Sequence, residues 1–333
     1  MKRTMAALLA ALIALVALAA CQQSAATRSD DDQPQRQTNL NRDASVPALP
    51  EGLEFGEDGA PVITIYNTAT ESYEDVGLED YVAGVLAGEM RNDWPMEALK
   101  AQAILARTFV LKFIDEKESK YPGAQISTDI SEAQAYAPQD VNERVKKAVS
   151  ETRGLVLSAD GKLPYAWFHA HSGGVTELPV EGLSYEGGNP AYTKIVESPD
   201  SDSAPTSMKH WEATFTAEEV AAAARETGVN VGDVVNSIEL GEKSDSGRTV
   251  TFLINGHEVN APNLRVNLDS TRLKSTLLER VTLDKGKVTF VGRGYGHGVG
   301  MSQWGAYQLA GEGRSAEDIV TYYFNGVSVA RAW

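Results

Sequence analysis

The chain has almost no cysteine: one, Cys21, in 333 residues. Beyond it there is no thiol for an internal disulfide, a thiolate nucleophile or a Cys-built zinc site, so the folded part must hold together through its core. After residue 20 no apolar run is long enough to span a bilayer as a helix. Basic clusters are missing too. With 30 Lys and Arg against 46 Asp and Glu the net charge is −16, and a surface of that sign repels nucleic acid, which is excluded as a partner. No internal repeat is visible. Gly-x-Ser-x-Gly, a Walker lysine and Gly-x-Gly-x-x-Gly are all absent, which removes the usual serine-hydrolase and nucleotide signatures.

What is present begins with an address. Lys2 and Arg3 precede an uncharged apolar run, Ala6–Ala20, that ends at Cys21. Its length suits a signal peptide rather than a membrane span. Leu18-Ala19-Ala20-Cys21 resembles the lipobox of bacterial lipoproteins, which implies cleavage after residue 20, acylation of Cys21 and membrane attachment through that lipid. Gln22 in place of Asp implies the outer membrane, facing the periplasm, in a host with two membranes. The stretch from Cys21 to residue 60 is Gln, Ser, Asp, Arg and Pro with few large apolar residues, and is expected to be a disordered tether.

Order is expected from Pro61. A β-rich run there precedes a helix near Leu78–Met90 and, after Pro95, a second helix to about Lys117. A helix at Val141–Thr152 is expected to lead into a hairpin of 154–158 and 163–169. Pro179–Met208 reads as a long surface excursion. Helices are expected at Ala217–Thr227, Ser302–Ala310 and Ala316–Phe324, with strands at Ser237–Leu240, Thr249–Ile254 and Lys287–Val291 and a tight turn at Asn255-Gly256. Helices and strands mixed without βαβ alternation predict an α+β fold, a single elongated domain over 61–333.

Three places carry chemistry. Leu78, Val82, Val85 and Leu86 fall on one stripe of the first helix, and Glu89 falls on it too. A carboxyl group on a buried face has its pKa raised, as a general acid requires, unless Lys100 or Arg107 of the next helix pairs with it structurally. In Gly292–Gly300 five glycines at alternate positions frame His297 and lead to Ser302, Gln303 and Trp304. That pattern suits close backbone approach to a carbohydrate beside an aromatic plate, or a packed turn. His169 and His171, two apart on a strand, share a face and either line a cleft or hold a metal, for which further ligands are lacking.

At these residues the chain resembles the stage II sporulation protein D (SpoIID) family, also described as the LytB-type amidase-enhancer domain. The blocks occur in order: Leu78 to Met90, Glu97 to Ala103, Ala106-Arg107-Thr108, Gln134-Ala135-Tyr136, Thr152-Arg153-Gly154, Phe168-His169 through Glu177, Leu273-Lys274-Ser275, and Gly294 through Gln303. The resemblance implies a lytic transglycosylase that cuts peptidoglycan glycan strands between N-acetylmuramic acid and N-acetylglucosamine, with Glu89 as acid and then base. It implies substrate contacts from Gln102, Arg107, His169, His297, Ser302 and Gln303; no cofactor or metal is expected in this chain. The alternative it implies is a non-catalytic glycan binder that stimulates a cell-wall amidase. Gly88 stands where the family usually has Ser beside the catalytic Glu, and Ser172 stands where some members carry a zinc-associated Cys.

Overall fold

The computed structural model describes residues 45–333; the leader, Cys21 and the tether to residue 44 lie outside the described residues. Order reaches back before Pro61. Pro47 and Pro50 are buried, the Ser45 carbonyl accepts a hydrogen bond from Ser158 Oγ at 2.7 Å, and β1 (Glu54–Phe55) pairs with β2 (Pro61–Asn67). Residues 45–60 carry Val46, Leu49, Leu53 and Phe55, of which Leu49 and Leu53 pack on the hydrophobic core; composition averaged over 21–60 does not foresee this.

In β2 the alternation is strict, with Ile63 and Ile65 fully buried. The strand pairs antiparallel with β3 (Ser72–Gly77), which runs directly into α1 (Leu78–Glu89). α1 is buried nearly all round rather than along one stripe. α2 (Met96–Glu116) follows Pro95, whose fixed φ favours helix entry, and threads the first core with Leu99, Ile104, Leu105 and Leu111. Next come β4 (Ile126–Ser127), parallel to β2, and α3 (Glu143–Glu151), capped by the Asn142 side chain on the Val145 N–H.

The expected hairpin after α3 does not form. Its turn exists, with Asp160 and Gly161 at positive φ, but backbone pairing stops at Ala159 and Lys162. β5 (Leu155–Ala159) pairs instead with the C-terminal strand at Val327–Arg331, and β6 (Phe168–His169) runs parallel to Met301–Ser302. Leu155, Val156 and Leu157 are all buried and need a buried partner, while Pro164 lacks the N–H a second hairpin strand would use.

The expected surface excursion also carries structure: α4 (Pro179–Leu183) and α5 (Thr206–Lys209), with Ser198 and Ser201 buried between them. Its acid and serine content serves an internal hydrogen-bond network, which composition cannot distinguish from solvated loop. A second core then forms. β7 (Trp211–Thr216) leads through a Thr216/Glu219 capping box into α6 (Ala217–Glu226). β8 (Ile238–Leu240), β9 (Thr251–Ile254) and β10 (His257–Asn260) form a meander, turned at Asn255-Gly256 with φ of 50° and 82°, and α7 (Ala261–Asp269) follows. β11 (Leu278–Asp284) and β12 (Lys287–Gly292) complete an antiparallel sheet in the order β11-β12-β7. Phe215, Phe252, Phe290 and Leu264 fill this core.

The glycine-rich segment leaves β12 in the second core and enters β13 (Met301–Ser302) in the first. α8 (Gln303–Gly311), α9 (Ala316–Tyr323) and β14 (Val327–Arg331) close the chain. The fold is α+β, as the sequence predicts.

Candidate active site

Glu89 ends α1 at a cavity of about 270 Å³, whose lining includes Gln134, Trp167, His169, Tyr295, His297 and Gln303. The residue as a whole is half-buried. Its Oε1 accepts the Ala135 N–H at 2.7 Å, and Gln303 Nε2 lies 3.4 Å from Oε2, a long contact. The loop carrying Ala135 comes this close because α1 offers Gly84 and Gly88 beneath it. A Cβ on Gly84 would strike the Tyr136 ring, and one on Gly88 would lie 2.9 Å from the Ala135 carbonyl.

Burial pushes the Glu89 pKa up, and the Ala135 and Gln303 donors offset only part of that rise. The structural ion pair that the sequence left open is not there. Lys100 pairs with Glu97 at 2.8 Å and Glu151 at 2.5 Å, and Arg107 with Glu79 at 2.5 Å. Among the described residues no cation is paired with Glu89, and it is the one carboxylate in the cavity lining.

The glycine-rich segment also lines the cavity, with Tyr295, Gly296 and His297. Gly296, at φ 112°, has no room for a side chain: a Cβ there would sit 2.7 Å from His169 Cβ. His297 Nδ1 accepts the Val299 N–H at 3.0 Å, which leaves the ring proton on Nε2. His169 Nδ1 lies 3.1 Å from the Val299 carbonyl and donates to it, so Nε2 is left as a buried acceptor without a partner. Burial, then the charge of Arg265, lowers the His297 pKa to about 3; burial and the neighbouring His297 hold His169 well below its usual value. Both rings are therefore neutral at pH 7. Gln134, buried with both ends of its amide unpartnered, joins this lining. It was missed as a site residue, although its Gln-Ala-Tyr block signals it.

The structure brings together Glu89, His169, His297 and Gln303 of the expected site and leaves three residues elsewhere. Arg107 is fully buried, bound to Glu79 and to the Leu155 carbonyl at 2.9 Å; a guanidinium inside the core takes the nearest carboxylate rather than facing a ligand. Gln102 is fully buried within α2 and absent from the cavity. Ser302 caps α8 and donates to Asp200 at 2.5 Å. Trp304 is likewise core, its ring 4.5 Å from that of Trp94; the aromatic residues that line the cavity are Phe109, Trp167, Phe168 and Tyr295. His171 turns away, its Nδ1 accepting the Gly173 N–H at 3.0 Å with Asp200 Oδ2 3.1 Å off. Among the described residues no three His, Cys, Asp or Glu side chains are grouped to surround a metal ion.

A neutral, polar, partly aromatic pocket with one protonatable carboxyl group suits acid chemistry on an uncharged, hydroxyl-rich ligand.

Comparison with known proteins finds relatives across most of the chain. The family model described as stage II sporulation protein (SpoIID) matches residues 66–158, and one described as a domain of unknown function (DUF8618) matches residues 188–300. The chain is 31% identical over 283 residues to stage II sporulation protein D of Bacillus amyloliquefaciens, covering 81% of this chain and 79% of that one. The same figures hold for its counterpart in Bacillus subtilis. An amidase enhancer of Bacillus subtilis is 29% identical over 289 residues, 74% of this chain but 40% of that longer one.

Proposed function

This chain belongs to the stage II sporulation protein D family, and from that premise we propose that it is a peptidoglycan lytic transglycosylase with Glu89 as its acid and base. Its role is in the cell wall, outside the cytoplasm. The observation that carries the finer reading is the lone carboxyl group: Glu89 has a raised pKa and no second carboxylate beside it in the cavity lining. Hydrolases of glycosidic bonds usually use two carboxyl groups, one of them to activate water or form a covalent bond. A single group suffices when the nucleophile is the substrate's own hydroxyl. Protonated Glu89 gives its proton to the glycosidic oxygen as the bond from muramic acid C1 breaks. The C6 hydroxyl of the same sugar closes on C1 and returns its proton to the Glu89 carboxylate. No water is consumed, and the 1,6-anhydro end is the product. His169 Nε2 and the Gln134 amide, which have no partner within the protein, offer neutral hydrogen-bond partners to sugar hydroxyls and acetamido groups.

The amidase-enhancer relative favours a second reading, in which the same pocket holds glycan and the catalyst is a separate amidase. Incubating purified glycan strands, with and without stem peptides, and examining the ends by mass spectrometry separates the two. Transglycosylation leaves 1,6-anhydro ends. Enhancement leaves strands uncut until an amidase is added, and then only peptides are released.

Anchoring through an acylated Cys21 is part of the proposal. Cys21→Ser is expected to move the protein into the soluble fraction; a variant that stays on the membrane, with no acyl mass on the unaltered chain, rejects the anchor.

A further inference from the structure

Trp167 lines the Glu89 cavity, but its ring is also part of a cluster that extends outside it. Tyr165 stacks on it with centroids 4.9 Å apart and planes 15° from parallel, and Tyr185 stands edge-on at 5.3 Å and 70°. All three are half-buried. Tyr185 is held in place by its backbone: Ser184 before it adopts a left-handed φ of 54°, and Gly187 leaves room for the ring, since a Cβ there would lie 2.5 Å from it. Tyr165 is fixed by donating its hydroxyl to Glu116 at 2.6 Å. Two ammonium groups stand by the Tyr165 ring, Lys112 at 5.2 Å and Lys117 at 5.6 Å. Lys112 pairs with Glu116, whereas Lys117 is exposed with no carboxylate partner among the described residues.

We propose that Trp167, Tyr165 and Tyr185 form a second saccharide subsite, which seats N-acetylhexosamine rings of the strand next to those in the Glu89 cavity. The inference rests on the glycan reading of that cavity and goes beyond it by assigning where the strand continues. Fixed aromatic planes match the apolar face of a pyranose and its acetamido methyl group while leaving the hydroxyls in water. Continuity favours this occupant, because Trp167 belongs to both surfaces. Charge agrees as well: on a chain of net −16, Lys117 beside Tyr165 provides a local cation for the lactyl carboxylate that a peptide-free muramic acid carries. The site therefore recognises length. A strand that reaches both surfaces binds more tightly than a disaccharide that fills only one.

The test uses the full chain in detergent with Glu89→Gln, so that glycan binds without being cut. Peptide-free oligosaccharides of two and eight sugars are titrated by calorimetry, with and without Tyr185→Ala. The octasaccharide is expected to bind more tightly than the disaccharide, and Tyr185→Ala to remove roughly tenfold of that advantage, the scale of one aromatic contact. The disaccharide affinity is expected to stay within twofold. Tyr185→Leu, which keeps bulk without a planar face, gives the same reading should the alanine variant fail to fold. An undiminished length advantage in these variants overturns the subsite while leaving the Glu89 reading intact. Absence of binding to either oligosaccharide overturns both.

Discussion

Ala135 donates its backbone N–H to Oε1 of Glu89 across 2.7 Å, although the two residues are 46 apart in the chain. Gly88 makes this approach possible, since the Ala135 carbonyl occupies the space that a side chain at 88 would need. The bond fixes the carboxyl group at the cavity edge and partly offsets the cost of its burial.

Gly88→Ala therefore sets two effects against each other. Helix propensity favours Ala by about 1 kcal/mol. A Cβ 2.9 Å from backbone atoms forces the loop away, at about 1–3 kcal/mol. The clash is expected to win, and the denaturant midpoint to fall. A variant more stable than the parent would mean that the 133–136 loop is not packed on α1 in solution.

Gln303→Leu removes a donor that favours the ionised form of Glu89. The folded pKa of Glu89 already lies above its usual value, and without this donor it rises further. Because the acid form starts the reaction, the alkaline limb of kcat/KM is expected to move to higher pH. The pH dependence of glycan cleavage checks this; a limb that moves to lower pH contradicts it.

The half-buried His297 and the buried His169 link stability to pH. His297 has a folded pKa of about 3 against 6.5 for the free side chain. Below pH 6.5 the unfolded chain takes up a proton that the folded chain refuses. Stability is thus complete above about pH 6.5 and falls as pH drops toward 3, by up to about 1.4 kcal/mol per pH unit for each such group. His297→Gln is expected to flatten that decline, leaving the share due to His169, which is lowered in the same direction. Thermal melts across pH 4–7 read the slope; equal slopes in parent and variant contradict the assignment.

The candidate site was legible in sequence where local periodicity carried it. Glu89 stood out because a carboxylate continued an apolar stripe at helical spacing, and the alternate glycines because few other residues tolerate Gly296's φ of 112° against His169. What failed depended on distant partners. Arg107 looked like a ligand contact because Glu79, which neutralises it, lies 28 residues away on another helix. Ser302 resembled a polar site residue until Asp200, 102 residues earlier, proved to take its hydroxyl. β5 pairs with β14 near the far end of the chain, so the adjacent hairpin was the natural but mistaken expectation. Trp167 and Tyr185 went unnoticed since nothing local marks an aromatic residue as facing a cavity rather than a core.

The central claim is that Glu89 transfers the proton in cleavage of the glycan strand. The most direct measurement counts 1,6-anhydro ends by mass spectrometry after equal amounts of the parent chain and Glu89→Gln act on the same purified strands. The parent is expected to produce such ends and the variant to do so about 10²–10⁴-fold more slowly, with an unchanged melting temperature and undiminished glycan binding. A Glu89→Gln protein that releases anhydro ends at the parent's rate would contradict it.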